Sequence, residues 1–281
     1  MKALKPLLFL CVALCFATSC KKEADMTLVQ KTVLENNTLS QIHIDDAWEV
    51  TIVYDSLNSF VELEYSAYLQ DNVSVSEING WLAIGFNDKV YPLTGSVFKA
   101  TVHTREKEHL SISAENDCVI NMEGRFELEE GFDIDLHNST VCSGLDVSAT
   151  SCSILVTNDS QLLDVKYTGT GCSVLVTKDS SCKGYFNVAH NFNASALIQS
   201  QLIVLGGSMP SASIEVKEAG TINMAQVEVE EMNVYLSGAS EATVNVTETL
   251  SGFLLEGSTL YYKGHPQIDV DCSDDSQLIP F

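Results

Sequence analysis

Apolar and polar residues alternate at every second position through the middle of the chain, and the alternation itself recurs every 20 residues. Stepping from Ile134 gives Ile154, Val174, Ala194, Ile214, Val234 and Leu254, all apolar. Two positions earlier the series reads Phe132, Cys152, Cys172, Phe192, Ala212, Met232 and Gly252. Two positions later it reads Leu136, Val156, Val176, Ala196, Val216 and Leu236, then Glu256, where the register is expected to slip. The series in between, from Asp133 through Ser153, Ser173, Asn193, Ser213 and Asn233, is polar until it meets Phe253. A second apolar series runs Cys142, Leu162, Cys182, Leu202, Ile222, Ala242 and Tyr262. The repeat is plainest where SCSILVTNDSQL (Ser151–Leu162) returns as GCSVLVTKDSSC (Gly171–Cys182).

A period of two marks strands with one buried face. A period of 20 on top of it marks a solenoid, because one turn cannot bury its apolar face until the next stacks on it. With parallel strands about 4.8 Å apart, seven turns predict a rod about 35 Å long. Val, Ile, Thr and Ser dominate, and no helical period persists. Short polar or small runs follow each strand: Asn138-Ser139-Thr140, Asn158-Asp159-Ser160, Lys178-Asp179-Ser180, Gln199-Ser200, Ala219-Gly220, Gly238-Ala239-Ser240 and Gly257-Ser258. Such residues bond their own backbone or accept positive φ, so these are the corners. Their hydroxyls, lying at one height, are expected to form ladders along the stack. Cys152 and Cys172 fall in a core column with parallel Cβ vectors, poor geometry for a disulfide, so they read as small buried hydrophobes. Leu155 and Leu175 point the other way and suggest a covered flank or a contact patch.

Upstream of Arg105 the repeat is absent, although alternating strands remain. They are 41–44, 48–54, 60–65, 73–75, 81–86 and 98–103, with a hairpin signal at Asn79-Gly80 and a loop over Asn87 to Ser96. No linker separates this region from the repeats. The predicted organisation is 1–19 signal peptide, 20–27 charged tether, 28–105 N-terminal strand region, 106–268 β-solenoid and 269–281 acidic tail. The fold class is therefore all-β, a parallel β-helix preceded by a strand-rich start.

The first residues change the compartment. Lys2 and Lys5 precede an apolar run, Leu7 to Phe16, too short to span a bilayer, and then Ala17-Thr18-Ser19-Cys20. Small residues before a cysteine resemble the bacterial lipobox, with Ala17 where Leu is commoner. This predicts lipidation at Cys20 and a membrane partner through that anchor; an ordinary signal peptide cut near Ala17 to Ser19 is the alternative. Two or three acyl chains on one cysteine hold firmly where one chain is marginal. Lys21-Lys22-Glu23-Ala24-Asp25 loosely resembles the charged export signals of Bacteroidetes lipoproteins, and reads equally as a solvated linker. The chain carries 15 Lys and Arg against 38 Asp and Glu, a formal charge of −23. That argues against a nucleic-acid partner and against adhesion to anionic lipid, both of which reward clustered cations.

Ile42-His43-Ile44 through Val50-Thr51-Ile52, Ile78-Asn79-Gly80-Trp81-Leu82-Ala83-Ile84, Leu236-Ser237-Gly238-Ala239-Ser240 and Leu260-Tyr261-Tyr262-Lys263-Gly264-His265-Pro266 carry a specific resemblance. The sequence resembles the head GIN domain family of auto-transporter adhesins, exported proteins of the Bacteroidetes, over about Leu28 to Val270. The resemblance implies a right-handed β-helix-like fold. Its motifs are strand and turn patterns and speak to fold more than to activity.

No catalytic, cofactor or metal residues are assigned. The six histidines are scattered without zinc-ligand spacing, and no nucleophile elbow or phosphate loop occurs. Asp133 and Asp135 are a carboxylate pair, but their columns turn to Ser and Leu in the next repeat. Asp269, Asp271, Asp274 and Asp275 lack the glycine turn and closing glutamate of a calcium loop. Trp48 and Trp81 are aromatics able to stack on a sugar ring, but a strand-rich core uses large aromatics anyway, and core packing is the reading preferred for them. The expectation is an outer-membrane lipoprotein, at the cell surface or on the periplasmic face, with a non-catalytic binding or adhesion role. A glycan or an envelope protein is its partner; a structural envelope component and a carbohydrate-active enzyme are the alternatives.

Overall fold

The computed structural model describes residues 24–35, 38–87, 90, 93–273 and 275–281. In chain order these form β1 (Leu28–Val33), β2 (Gln41–Ile44), β3 (Glu49–Tyr54), β4 (Phe60–Ser66), a 3₁₀ turn (Ala67–Leu69), β5 (Val73–Ile78), β6 (Trp81–Phe86) and β7 (Phe98–Thr104). Then come β8 (His109–Ala114), β9 (Val119–Glu123), β10 (Phe126–Glu127), β11 (Gly131–Leu136), β12 (Val141–Ser143) and β13 (Asp146–Thr157). The long strands β14 (Gln161–Thr177), β15 (Ser181–Leu197), β16 (Gln201–Lys217), β17 (Thr221–Ser237) and β18 (Glu241–Leu254) bend around most of a coil each. The last are β19 (Thr259–Lys263), β20 (Gln267–Cys272) and β21 (Gln277–Pro280).

The result is a β-solenoid of about nine turns of roughly 20 residues. Its central columns are those the period predicts. Ile134 pairs with Ile154, and Val174, Ala194, Ile214 and Val234 follow in parallel register. All six are buried. The register slips earlier than the series suggests, between Thr243 and Thr249. Gly252, not Leu254, lies over Val234; Leu254 lies over Leu236, and Leu260 replaces Tyr262 over Ala242. Gly252 takes φ +130°, and a Cβ there would come within 1.9 Å of the Val234 carbonyl oxygen. Only glycine lets the shortened coil close so tightly.

The N-terminal third departs more deeply from expectation. β2 pairs in parallel with β6 on one side and β8 on the other, and β3 with β7 and β9. Residues 41–54 thus form a coil inserted between the coil of 81–104 and that of 109–123. The region 28–105 is strand-rich and continuous with the repeats, as expected, but four of its strands belong to the wound sheet itself. Its period is hidden because neighbours in space are not neighbours in sequence. β1, β4 and β5 add antiparallel, with β4 on β7, β1 on β4 and β5 on β6, and cover the N-terminal rim. The β5–β6 hairpin turns at Asn79-Gly80, both at positive φ, as predicted. At the other end, β20 and β21 pair with β18 and β19, so residues after 268 wind a further coil where a solvated tail was expected. Part of the charged tether is also docked: Tyr68 and Ala67 donate their backbone N–H groups to the carbonyls of Asp25 and Thr27. From β6 to β20 the longer face stacks eleven strands. At about 4.8 Å each, the rod is about 48 Å long rather than 35 Å.

Among the described residues, nine coils turn their first corner with two successive residues in the left-handed region. These pairs are Asp46-Ala47, Asn116-Asp117, Asn138-Ser139, Asn158-Asp159, Lys178-Asp179, Ile198-Gln199, Glu218-Ala219, Gly238-Ala239 and Glu256-Gly257. Asn and Asp tolerate this conformation best, and where they recur they also bond along the stack. Asn158 Nδ2 donates to Asn138 Oδ1 at 3.0 Å, Asn138 Nδ2 to Asn116 Oδ1 at 3.1 Å, and Asn116 Nδ2 to Asp45 Oδ1 at 2.6 Å. Just inside the corner the hydroxyl ladder is real and buried. The backbone N–H groups of Thr140, Ser160 and Ser180 donate to the hydroxyls of Ser160, Ser180 and Ser200 in the next coil. Replacing Ser180 with Ala orphans the buried Ser160 N–H, at a cost of about 1–3 kcal/mol. Chemical denaturation of Ser180→Ala is expected to show that loss with an unchanged m-value.

Candidate functional site

Side chains that leave the core of the long face stand in outward columns, because strand parity is preserved from coil to coil, and two adjacent ones differ in character. One is a polar ladder: Ser111, Asp133, Ser153, Ser173, Asn193, Ser213, Asn233, Ser251 and Asp269. Asn233 Nδ2 donates to Ser251 Oγ at 3.2 Å within it. The neighbouring column begins with His43, Ser113 and Asp135, then carries Leu155 and Leu175, Ser195 and Glu215, and finally Tyr235 and Phe253. Phe253 is 50% exposed. Lys217, ion-paired with Glu215, sets its ammonium 4.8 Å from the centre of the Tyr235 ring.

Tyr235 and Phe253 are therefore register partners on adjacent strands that both face outward, an aromatic platform flanked by Asn233 and Ser251. The sequence hides this platform. Counted by 20, Phe253 falls in the polar ladder. The register shifts earlier in β18, between Thr243 and Thr249, leave the rest of that strand 18 residues on and move it over Tyr235 instead.

Of the residues singled out from sequence, Trp48 is fully buried, packed against Phe86 and Phe98 at ring distances of 5.6 and 6.1 Å. It is core, the reading preferred for it, and is not placed to stack on a sugar. Trp81 is 41% exposed on β6, with its ring against His43 at 6.2 Å. Asp133 and Asp135 do share one outward face, but Asp133 is paired to His109 Nε2 at 3.1 Å. Asp135 is half-buried and its carboxyl is held above the usual range, chiefly by loss of solvent, with Asp133 adding and His137 opposing. Asp269 and Asp271 lie on β20 and Asp275 accepts from Ser273 Oγ at 2.9 Å. Asp274 and Cys20 lie outside the described residues.

The family described as "Putative auto-transporter adhesin, head GIN domain" matches residues 38–266. The chain belongs to this family. Solved structures of low sequence identity share the fold of this head GIN chain. A "putative adhesin" of Parabacteroides merdae aligns with a TM-score of 0.58 at 14% identity, over 92% of this chain and 98% of that one. A "putative adhesin" of Parabacteroides distasonis gives 0.61 at 12%, with the same coverage. A "putative lipid binding protein" of Parabacteroides distasonis gives 0.57 at 11%, again over 92% and 98%. At such identities the likeness is one of fold. A search of curated proteins finds no match.

The cysteines of this head GIN chain sit as the columns imply. Cys118, Cys142, Cys152, Cys172 and Cys182 are buried thiols, and Cys272 is exposed on β20. Burial pushes the thiols of Cys118 and Cys142 up to about 12. Cys172 is raised by the Cys152 thiol stacked on it and by burial. A thiol held protonated and out of solvent does not react. With a thiol reagent at pH 8, Cys272 is expected to react quickly in the folded protein, and the other five only after denaturant.

Asp135 gives a pH dependence of known sign. A carboxyl whose folded pKa lies above its unfolded value opposes folding once both states are ionised. The opposition fades as pH falls through the folded pKa. Asp135→Asn is therefore expected to raise Tm at pH 7, and the advantage to vanish in acid; thermal melts from pH 3 to 8 check this.

Proposed function

We propose that this chain is a non-catalytic binding module of the cell envelope that makes contact through the outward columns of its long face. The observation that carries the reading is the Tyr235–Phe253 platform beside the Asn233–Ser251 ladder. Aromatic faces cover the apolar side of a sugar ring, and amide and hydroxyl side chains meet its hydroxyl groups. A parallel stack repeats that chemistry along a rigid line, which suits a repetitive glycan. Membership of an adhesin family supports a binding role and an exported location. The lipobox-like Ala17-Thr18-Ser19-Cys20 supports anchoring through Cys20 in the outer membrane, with the rod turned outward. The formal charge of −23 directs the choice of ligand to neutral or basic glycans, since a polyanion is repelled.

The test uses the lipid-free protein on a glycan array, with labelling of intact parent cells beside it. Binding to a neutral or basic glycan is expected, falling at least ten-fold in Tyr235→Ser/Phe253→Ser while Tm holds. Binding unaffected by the double variant, or protein inaccessible on intact cells, overturns the reading. A single protein partner recovered from the envelope in place of a glycan makes the chain a structural component instead.

A further inference from the structure

His43 lies in the inserted strand β2, Asp45 follows that strand, and Glu115 follows β8 in the adjacent coil. Seventy residues of chain separate the first two from the third, so no spacing in the sequence joins them. The insertion of 41–54 between its neighbours brings one ligand atom from each within 4.8 Å of the others. His43 Nε2 lies 3.9 Å from Glu115 Oε1. The other ring nitrogen, Nδ1, is 3.3 Å from Ser113 Oγ, and the ring lies against Trp81. A ring held at one nitrogen by an oxygen, with the other turned to an acid, has the arrangement of a metal-ligating histidine. Asp45 is held as firmly: Oδ1 accepts from Asn116 Nδ2 at 2.6 Å and from the Asp46 backbone N–H at 2.7 Å. Among the described residues no lysine or arginine nitrogen lies within ion-pair distance of Asp45 or Glu115. Two carboxylates just beyond adjacent strands, partly out of water, lack a lysine or arginine partner.

We propose that His43, Asp45 and Glu115 bind one divalent transition-metal cation, which pins the inserted coil to the next coil of the stack. An imidazole nitrogen with two carboxylates suits zinc or a neighbouring first-row ion better than calcium or magnesium, which take oxygen sets. Three protein ligands leave a fourth position to water. Nitrogen and oxygen each about 2.0–2.2 Å from one zinc stand about 3.3 Å apart, so the His43–Glu115 gap closes with a side-chain shift of about 0.5 Å. The site lies at the seam where stack order departs from chain order. Bound metal there holds in place the coil that the chain's own sequence of winding holds least.

Zinc is the probe, added to metal-free protein and followed by competition with a chromophoric chelator. One equivalent is expected to bind and raise Tm. His43→Gln and Glu115→Gln are each expected to weaken it at least about ten-fold and abolish the Tm shift, with His190→Gln unchanged. Cobalt is expected to quench the emission of Trp81 beside the site, an effect lost in Trp81→Phe. Melting the variants without metal shows whether they fold. Absence of zinc binding by the parent protein overturns the proposal. So does equal binding by all the histidine and glutamate variants, which reports diffuse attraction to the acidic surface. Neither result bears on the contact face.

Discussion

Each coil of this protein must hand its backbone hydrogen-bonding groups to the coils on either side. A parallel ladder does this only when the coils stay in register, and everything else in the molecule follows from holding that register. Length is the first consequence. Coils of about 20 residues keep Ile154 over Ile134 and under Val174. Where one coil shortens, Gly252 accepts the resulting close approach to Val234. The corners are the second. Nine of them spend two residues in the left-handed region, tolerable for Asn138 or Asp159 but uncomfortable for the β-branched Ile198. The buried N–H groups beside those corners would be orphans without the hydroxyls of Ser160, Ser180 and Ser200.

The same constraint exposes the ends. A parallel stack has two open rims, and each is a template for unwanted pairing. The N-terminal rim is covered by antiparallel β1, β4 and β5. The last coil carries Asp269, Asp271 and Pro280, residues that discourage a further strand. Charge on the surface does the remaining work of keeping such rods apart, and at −23 it is ample.

Winding also separates the uses of the two sides of each strand. Inside, volume and dryness decide the residue, so Cys142 and Cys182 serve beside Leu162 as inert fillers. Outside, the fold tolerates almost any residue that keeps its parity. The run from Leu155 to Phe253 is free to differ from the Ser and Asn ladder next to it without disturbing the stack. A rigid scaffold with a freely varied outer line suits recognition of something long and repetitive. It does not require a closed pocket.

Much of this was legible from the residues alone. Alternation around Ile134–Val234 and the corners at Asn138-Ser139 and Asn158-Asp159 specify a wound sheet, because a period of two within a period of 20 has few other physical solutions. The hydroxyl ladder and the buried thiols follow from the same columns. What the period could not carry was any place where the chain breaks its own count. The platform of Tyr235 and Phe253 depends on two missing residues. The final coil at 267–280 has too few partners to show a repeat. The His43–Asp45–Glu115 cluster exists only because a coil made early is slotted between two made later. Periodicity reports order along the chain, whereas hydrogen-bonded stacking needs only order in space, and these three sites lie where the two orders part.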